Sequence, residues 1–519
     1  MTALRVVLVG YGPVGARFVE ELLPAVRTGA IALTVIGAEP TDAYNRVLIA
    51  DYAAGRTDRD ALMITDADAA VAAGVRFQTG TRVTGIDRTM CTVTLDSGAV
   101  EPYDRLVLAT GARANVPTLD GIRRPVATDA ALPPGVTVLR DIADAERVRA
   151  VVREKARIVV LGAGVLGLEI ALAAATQGAD VHIVHHNGHP MARNIDRAGG
   201  TVLARSLRAA GVNVVAHSRA ESVDFRTDDH GVSQFDALIC ADGKRITGDL
   251  LLLSCGVSAR MELATLANLP TSTGILVDTQ LRSWGDQHVF AIGDCAHVTD
   301  MSEQEPDARP RGGPSGLIGP GWRQAAWLAA SMIADASGEP TPSPLEPERA
   351  SVVMLKADEI DVVVAGNVDA DPWDDPGPED SAPSVSAWAD PEHGRYVKMV
   401  TRAGVLEGMV CVGMPRTGAE LTLLFERGSE LPADRSVLLR HDGPDYSPTS
   451  VADAFEPDAT VCWCNGVSAG RIHESVNAGC RTVDEVGAET RAGTGCGGCK
   501  GRVTELIAQF VARSTATVS

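Results

Sequence analysis

Two glycine-rich turns, GYGPVG at residues 10–15 and GAGVLG at residues 162–167, limit what this chain can fold into. Each follows an apolar run and opens a stretch that reads as a helix. RVVLVG enters the first turn and IALTVIG returns from its helix, ending near Glu39. ARIVVLG enters the second, LEIALAAATQG follows it, and ADVHIVHH returns. Both are βαβ patterns. A single G-x-G-x-x-G is weak, because tight strand-to-helix connections need glycine at positive φ for purely structural reasons. The strand before and the helix after change its meaning: backbone amides and the positive end of a helix dipole then face a point where a pyrophosphate can sit. Two such units predict two dinucleotide-binding folds.

The segments between and after them predict an interrupted first fold. YDRLVLATGAR and HVFAIGDCA read as buried strands that return the chain to the first sheet, the second of them running to Asp294. The expected units are a first dinucleotide domain over 1–120 and 246–335, a second inserted over 121–245, a small mostly antiparallel domain over 350–435, and a cysteine-bearing domain over 453–512. SGEPTPSPLEPER reads as a linker, and DADPWDDPGPEDSAPS as a mobile loop in the third unit. The fold class is therefore α/β: two Rossmann-like domains, then a small α+β domain and a small helical one. Composition agrees, since apolar residues make up 45% of the chain and aromatic residues only 4%, leaving Val, Leu, Ile and Ala to fill buried parallel sheets. A net charge of −20 with no basic run argues against nucleic acid as a partner. The apolar N-terminal stretch is too short to span a bilayer and runs into glycines instead of a cleavage site, so neither membrane nor export is expected and the chain reads as cytoplasmic.

Single residues follow from these placements. Glu39, at the end of the second strand, is either a surface carboxylate or the acceptor for both ribose hydroxyls of an adenosine. The matching strand end in the second unit carries His185 and His186 with no acid, which leaves NADH against NADPH open. These histidines either touch ribose or phosphate or simply mark an exposed strand end.

GYGPVG, YDRLVLATGAR, LGAGVLGLE and VFAIGDCA, in that order, resemble the FAD- and NAD-binding fold of the pyridine nucleotide-disulfide oxidoreductases over about two-thirds of the chain. The resemblance implies FAD on the first fingerprint (Gly10, Gly12, Pro13, Val14, Gly15), with Ala109, Thr110 and Gly111 alongside and Asp294 on the ribityl chain. It implies NADH or NADPH on Gly162, Gly164 and Gly167, with Glu169 near the nicotinamide or, on a plainer reading, a polar helix residue. No catalytic residue is assigned. PTDAYNRVLIADYAAG contains no cysteine, so thiol chemistry at the flavin is not expected. Where rubredoxin and ferredoxin reductases carry a lysine after the YNR-type segment, Asp51 stands here. Arg46 either touches FAD or forms a surface ion pair, and the YNRVL form is similar to that of NADH-dependent nitrite reductases.

The last domain holds Cys462-x-Cys464 and Cys496-x-x-Cys499, four thiolates suited to either zinc or an iron-sulfur cluster. CWCNG through AGTGCGGC resembles the bacterioferritin-associated ferredoxin-like [2Fe-2S] domain, which implies a [2Fe-2S] cluster on those four cysteines. Cys480 and the scattered Cys91, Cys240, Cys255, Cys295 and Cys411 read as packing residues. The whole order of domains resembles the N-terminal part of NADH-dependent nitrite reductase large subunits and the electron-transfer subunits of assimilatory nitrate reductases. Because the sequence ends soon after Gly501, no sirohaem domain is expected, and the partner would be a separate electron-accepting nitrate or nitrite reductase. The other readings are a component of an amino-acid or opine dehydrogenase, which a second nucleotide fingerprint opposes, and a non-catalytic redox sensor.

Overall fold

The computed structural model describes residues 3–122, 132–227, 231, 233–300, 310–346, 352–357, 360–371, 373, 382–442, 457, 459–462, 465–495 and 497–516. Leu4–Val9 lies between Arg105–Leu108 and Ile31–Gly37, parallel to both. A strand in that position is covered on both faces. Val6, Val7, Leu8 and Val9 are accordingly all buried, and the sequence shows a continuous apolar run rather than alternation. Asp286–Ala291 pairs in parallel with Arg105–Leu108, and Arg76–Thr79 with Ile31–Gly37, within an eight-stranded sheet. The helices Pro13–Arg27 and Ile318–Ser337 contribute Phe18, Leu22, Leu328 and Met332 to the same core. Both expected return strands are therefore in the first sheet.

The second sheet runs in the order Asn213–Val215, Asp180–Val184, Arg157–Leu161, Leu250–Leu253, Val136–Val138, all parallel. This corrects one expected boundary. Leu250–Leu253 belongs to the inserted unit, so the chain leaves that unit after Leu253 and not at 245. Four consecutive buried leucines fit the middle of a parallel sheet covered on both faces. The preceding strands Ala220–Thr227, Ser233–Cys240 and Arg245–Thr247 form a separate antiparallel sheet.

The third unit is a five-stranded antiparallel sheet in the order Val353–Ala357, Ile360–Gly366, Val405–Val412, Arg395–Arg402, Ser384–Asp390. Helix Pro415–Arg427 packs on it through Leu421. The unit is tied to the second nucleotide fold by polar groups: Tyr396 Oη donates to Asp196 Oδ2 at 2.7 Å, while Lys398 Nζ donates to Val368 O at 2.8 Å and lies 3.6 Å from Asp196 Oδ2. Lys398 is only 3% exposed. A buried ammonium is tolerable only with partners of this kind. The loop expected over 369–384 lies mostly outside the described residues, as does the end of the linker beyond 346. In the last unit the strand Thr460–Cys462 is flanked by helices Ala469–Asn477, Val483–Thr490 and Lys500–Ala516. Among the described residues no helix is long and apolar enough to cross a membrane.

Candidate functional site

The two glycine turns are built alike, and their three glycines divide into two jobs. Gly10 has φ +111°, and a Cβ there would stand 2.2 Å from Ala109 O; one at Gly15 would stand 2.3 Å from Gly10 O. In the second turn Gly162 has φ +115°, and a Cβ there would be 2.1 Å from Ser254 O, while one at Gly167 would be 2.6 Å from Gly162 O. The outer glycines thus serve the chain's own packing. The middle glycines face open space: a Cβ on Gly12 would meet nothing nearer than Arg46 Nε at 4.0 Å, and one on Gly164 nothing within 4 Å. Both are N-caps with no side-chain cap and no acidic residue in the first turn. The first amides of each helix, with the positive end of its dipole, are left for an anion, which is the fit a pyrophosphate requires. Pro13 suits the first helical turn of Pro13–Arg27 because a residue there needs no amide donor.

A cavity of about 2760 Å³ opens in front of the first turn. Its wall includes residues 10–15, Glu39, Arg46, residues 109–111, Asp294 and Glu169. Gly162, Gly164, Gly167 and His185 are off that wall. Glu39 is held from two sides: Tyr44 Oη donates to its Oε2 at 2.8 Å and Arg46 Nη2 pairs with its Oε1. Arg46 Nη1 donates to Arg140 O at 3.1 Å, and Arg140 Nη2 to Asp294 Oδ2 at 3.1 Å. Arg140 also donates through Nε to Ala112 O at 3.0 Å. Burial lowers the Arg140 guanidinium from its usual value, with Asp294 opposing that shift, and burial pushes the Tyr44 hydroxyl up. Thr110 Oγ1 donates to Arg260 O at 2.9 Å, and Gly111 sits at φ +68°.

Tyr44 and Arg140 escape a reading of the sequence alone. Arg140 has one local signal: it precedes Asp141, whose capping box with Asp144 starts the helix Ile142–Arg153 and so fixes the arginine's backbone. His185 is not an exposed strand end: it is 4% exposed, and neither ring nitrogen has a hydrogen-bond partner among the described residues. Burial lowers its imidazole from 6.5 to about 4, with His186, His189 and His217 acting the same way. His186, one residue on, is exposed.

The cavity also reaches the last domain, because Thr460, two residues before Cys462, is on its wall. Cys462 and Cys499 are buried in one core with Val467, Ile472 and Val503, and Cys480 packs against that core. Asn465 Nδ2 lies 3.8 Å from Cys462 Sγ. Cys464 and Cys496 lie outside the described residues. Two deeply placed thiols, Cys462 at the end of its strand and Cys499 in a glycine-rich turn, with an amide near the sulfur of Cys462, suit a thiolate-ligated group. Cys240, Cys295 and Cys411 are buried, and burial raises their thiols.

Comparison with known proteins matches residues 4–314 to the family described as pyridine nucleotide-disulphide oxidoreductase, and residues 460–509 to the BFD-like [2Fe-2S] binding domain. Nitrite reductase [NAD(P)H] of Bacillus subtilis (strain 168) is 28% identical over 506 residues, which is 97% of this chain and 57% of that protein. The assimilatory nitrate reductase electron transfer subunit of the same strain is 26% identical over 512 residues, 98% of this chain and 60% of that one. The chain therefore spans less than two-thirds of the length of these relatives. Among solved structures, the covalent putidaredoxin reductase-putidaredoxin complex aligns with a TM-score of 0.68 at 21% identity, covering 86% of this chain and 100% of that one. FAD, NAD(P)H and a [2Fe-2S] cluster are the cofactors these two family matches indicate.

The division of labour among the glycines has a direct test. Gly12→Ala should leave the thermal unfolding midpoint near that of the parent while weakening FAD binding about tenfold or more, roughly 1.4 kcal/mol. Gly10→Ala should instead destabilise the fold itself by about 3 kcal/mol through forced positive φ and contact with Ala109 O. FAD titration and calorimetry of both variants separate the two effects. For His185 the sign is fixed by its lowered pKa: the folded state binds fewer protons, so stability is complete above 6.5 and declines as pH falls toward about 4. Urea midpoints at pH 7 and pH 5 should differ less in His185→Leu than in the parent, and equal differences would refute this assignment.

Proposed function

Because the chain belongs to the pyridine nucleotide-disulphide oxidoreductase family, we propose that it draws electrons from NAD(P)H and delivers them singly, through FAD and a [2Fe-2S] cluster, to a reductase of nitrate or nitrite. The observation that carries this reading is a cavity whose wall runs from the first glycine turn past Glu169 to Thr460, two residues before Cys462. FAD held by the first glycine turn, Glu39 and Asp294 would supply the chemistry that couples a two-electron donor such as NAD(P)H to a one-electron acceptor such as a [2Fe-2S] cluster, with a proton left for solvent.

In this reading the chain binds, orients and shields. The open amides at Gly12 and the start of Pro13–Arg27 hold the FAD pyrophosphate, with Val14 and Gly15 beside it, and those at Gly164 hold that of NAD(P)H. Glu39, set in place by Tyr44 and Arg46, accepts from the adenosine ribose. Asp294, braced by Arg140, accepts from the ribityl hydroxyls, and Ala109, Thr110 and Gly111 line the same cofactor. Glu169 stands by the nicotinamide. Cys462, Cys464, Cys496 and Cys499 ligate the cluster. The reducing conditions of the cytoplasm suit cysteines kept unoxidised for these roles, and a net charge of −20 suits a partner with a basic docking face. The likeness to an electron transfer subunit of nitrate reductase supports this choice of partner.

Cys462→Ser tests the path. The variant should keep FAD and NAD(P)H oxidation with a two-electron dye, lose iron, and no longer support reduction by a nitrate or nitrite reductase. A variant without iron that still drove such a reductase would remove the cluster from the path.

A further inference from the structure

One buried side chain joins the flavin domain to the cysteine-bearing domain. Asn45, 4% exposed, lies between Tyr44 and Arg46, the two residues that hold Glu39. Its Oδ1 accepts from Val47 N at 3.0 Å, capping the short turn Arg46–Leu48. Its Nδ2 donates to Gly495 O at 2.6 Å, across 450 residues of sequence. Gly495 immediately precedes Cys496. The same loop is tied back to the first thiol pair: Asn465 Nδ2 donates to Arg491 O at 2.8 Å and to Thr494 Oγ1 at 3.3 Å, and lies 3.8 Å from Cys462 Sγ. Arg491, at φ +70°, pairs with Glu20 at 2.9 Å and Glu21 at 3.8 Å on the helix that leaves the first glycine turn.

We propose that Asn45 is a positioning residue that latches the segment 491–495, which leads into Cys496, onto the flavin domain and thereby sets the rate at which electrons cross from flavin to cluster. The proposal rests on the electron-transfer reading above and adds a specific residue to it. For each NAD(P)H oxidised, two electrons cross, one per reduction of the cluster, and one proton goes to solvent; Asn45 itself exchanges neither. The position calls for an acceptor toward Val47 N and a donor toward Gly495 O at once, which a short carboxamide supplies. Aspartate would keep the cap but set an oxygen against the carbonyl of Gly495. Serine would keep the cap and fall short of it. The ion pairs of Arg491 are part-exposed and contribute little by themselves, so the buried amide fixes the register of the loop.

The test compares the full-length holoprotein with Asn45→Asp and Asn45→Ser by anaerobic stopped-flow, following flavin and cluster separately after mixing with NADH or NADPH. Hydrogen exchange of the amides of 491–495 is measured on the same samples. Flavin reduction should stay within about twofold of the parent, while cluster reduction slows about tenfold or more and the 491–495 amides exchange faster. Cluster reduction at the parent rate in the variants, or unaltered exchange, overturns the latch. If Asn45→Asp fails to fold, Asn45→Ser carries the same expectation. If the parent's flavin is reduced but its cluster never is, the electron-transfer reading fails and the proposal with it; unaltered exchange beside normal transfer in the parent removes the latch alone.

Discussion

The close passage of backbone against backbone at the head of each nucleotide-type turn is the constraint on which the site depends. At Gly10 the chain leaves its strand against Ala109 O, and at Gly162 against Ser254 O, so closely that a Cβ would lie 2.2 Å and 2.1 Å from those oxygens. Only glycine fits, both for space and for φ. The helix that follows the first turn starts with no side-chain cap, and its first residues line the cavity. The crossing at Gly10 also presses the segment 109–111 against the first turn, and both line one cavity. The approach of 109–111 to the first turn therefore depends on the absence of a side chain at Gly10.

Charge is arranged around that cavity to hold orientation more than to add stability. Tyr44, Glu39, Arg46, Arg140 and Asp294 form one connected series, each acid braced by a donor that is itself braced. Part-exposed ion pairs of this kind contribute little to folding free energy. Their value lies in keeping two carboxylates aimed at fixed points without solvent reorganisation. Asn45 sits inside the same short segment, so the geometry that fixes Glu39 also reaches the loop before Cys496.

Much of this was legible in residues read singly. Apolar runs such as RVVLVG and ARIVVLG announce strands covered on both faces, and the glycine spacing announces the turns. The expected boundary at 245 falls short of Leu250–Leu253, because a run of leucines does not show which strands will pair with it. Arg140 has only the capping box that follows it as a local signal, and its role emerges when folding brings Asp294 within 3.1 Å. The sequence leaves His185 either touching ribose or phosphate or marking an exposed strand end; the strand end is covered, since Val215 and Ser218 pair with its backbone on both sides and the ring is buried. Long-range polar contacts such as Asn45 with Gly495 have no sequence signature at all, whereas the paired cysteines are visible from spacing alone.

Anaerobic titration of the purified protein with NADH and then NADPH, following flavin absorbance and the EPR spectrum together, tests the central claim most directly. The account predicts flavin bleaching accompanied by the signal of a reduced [2Fe-2S] cluster. Flavin bleaching with no cluster signal, and zinc instead of iron on metal analysis, would contradict it.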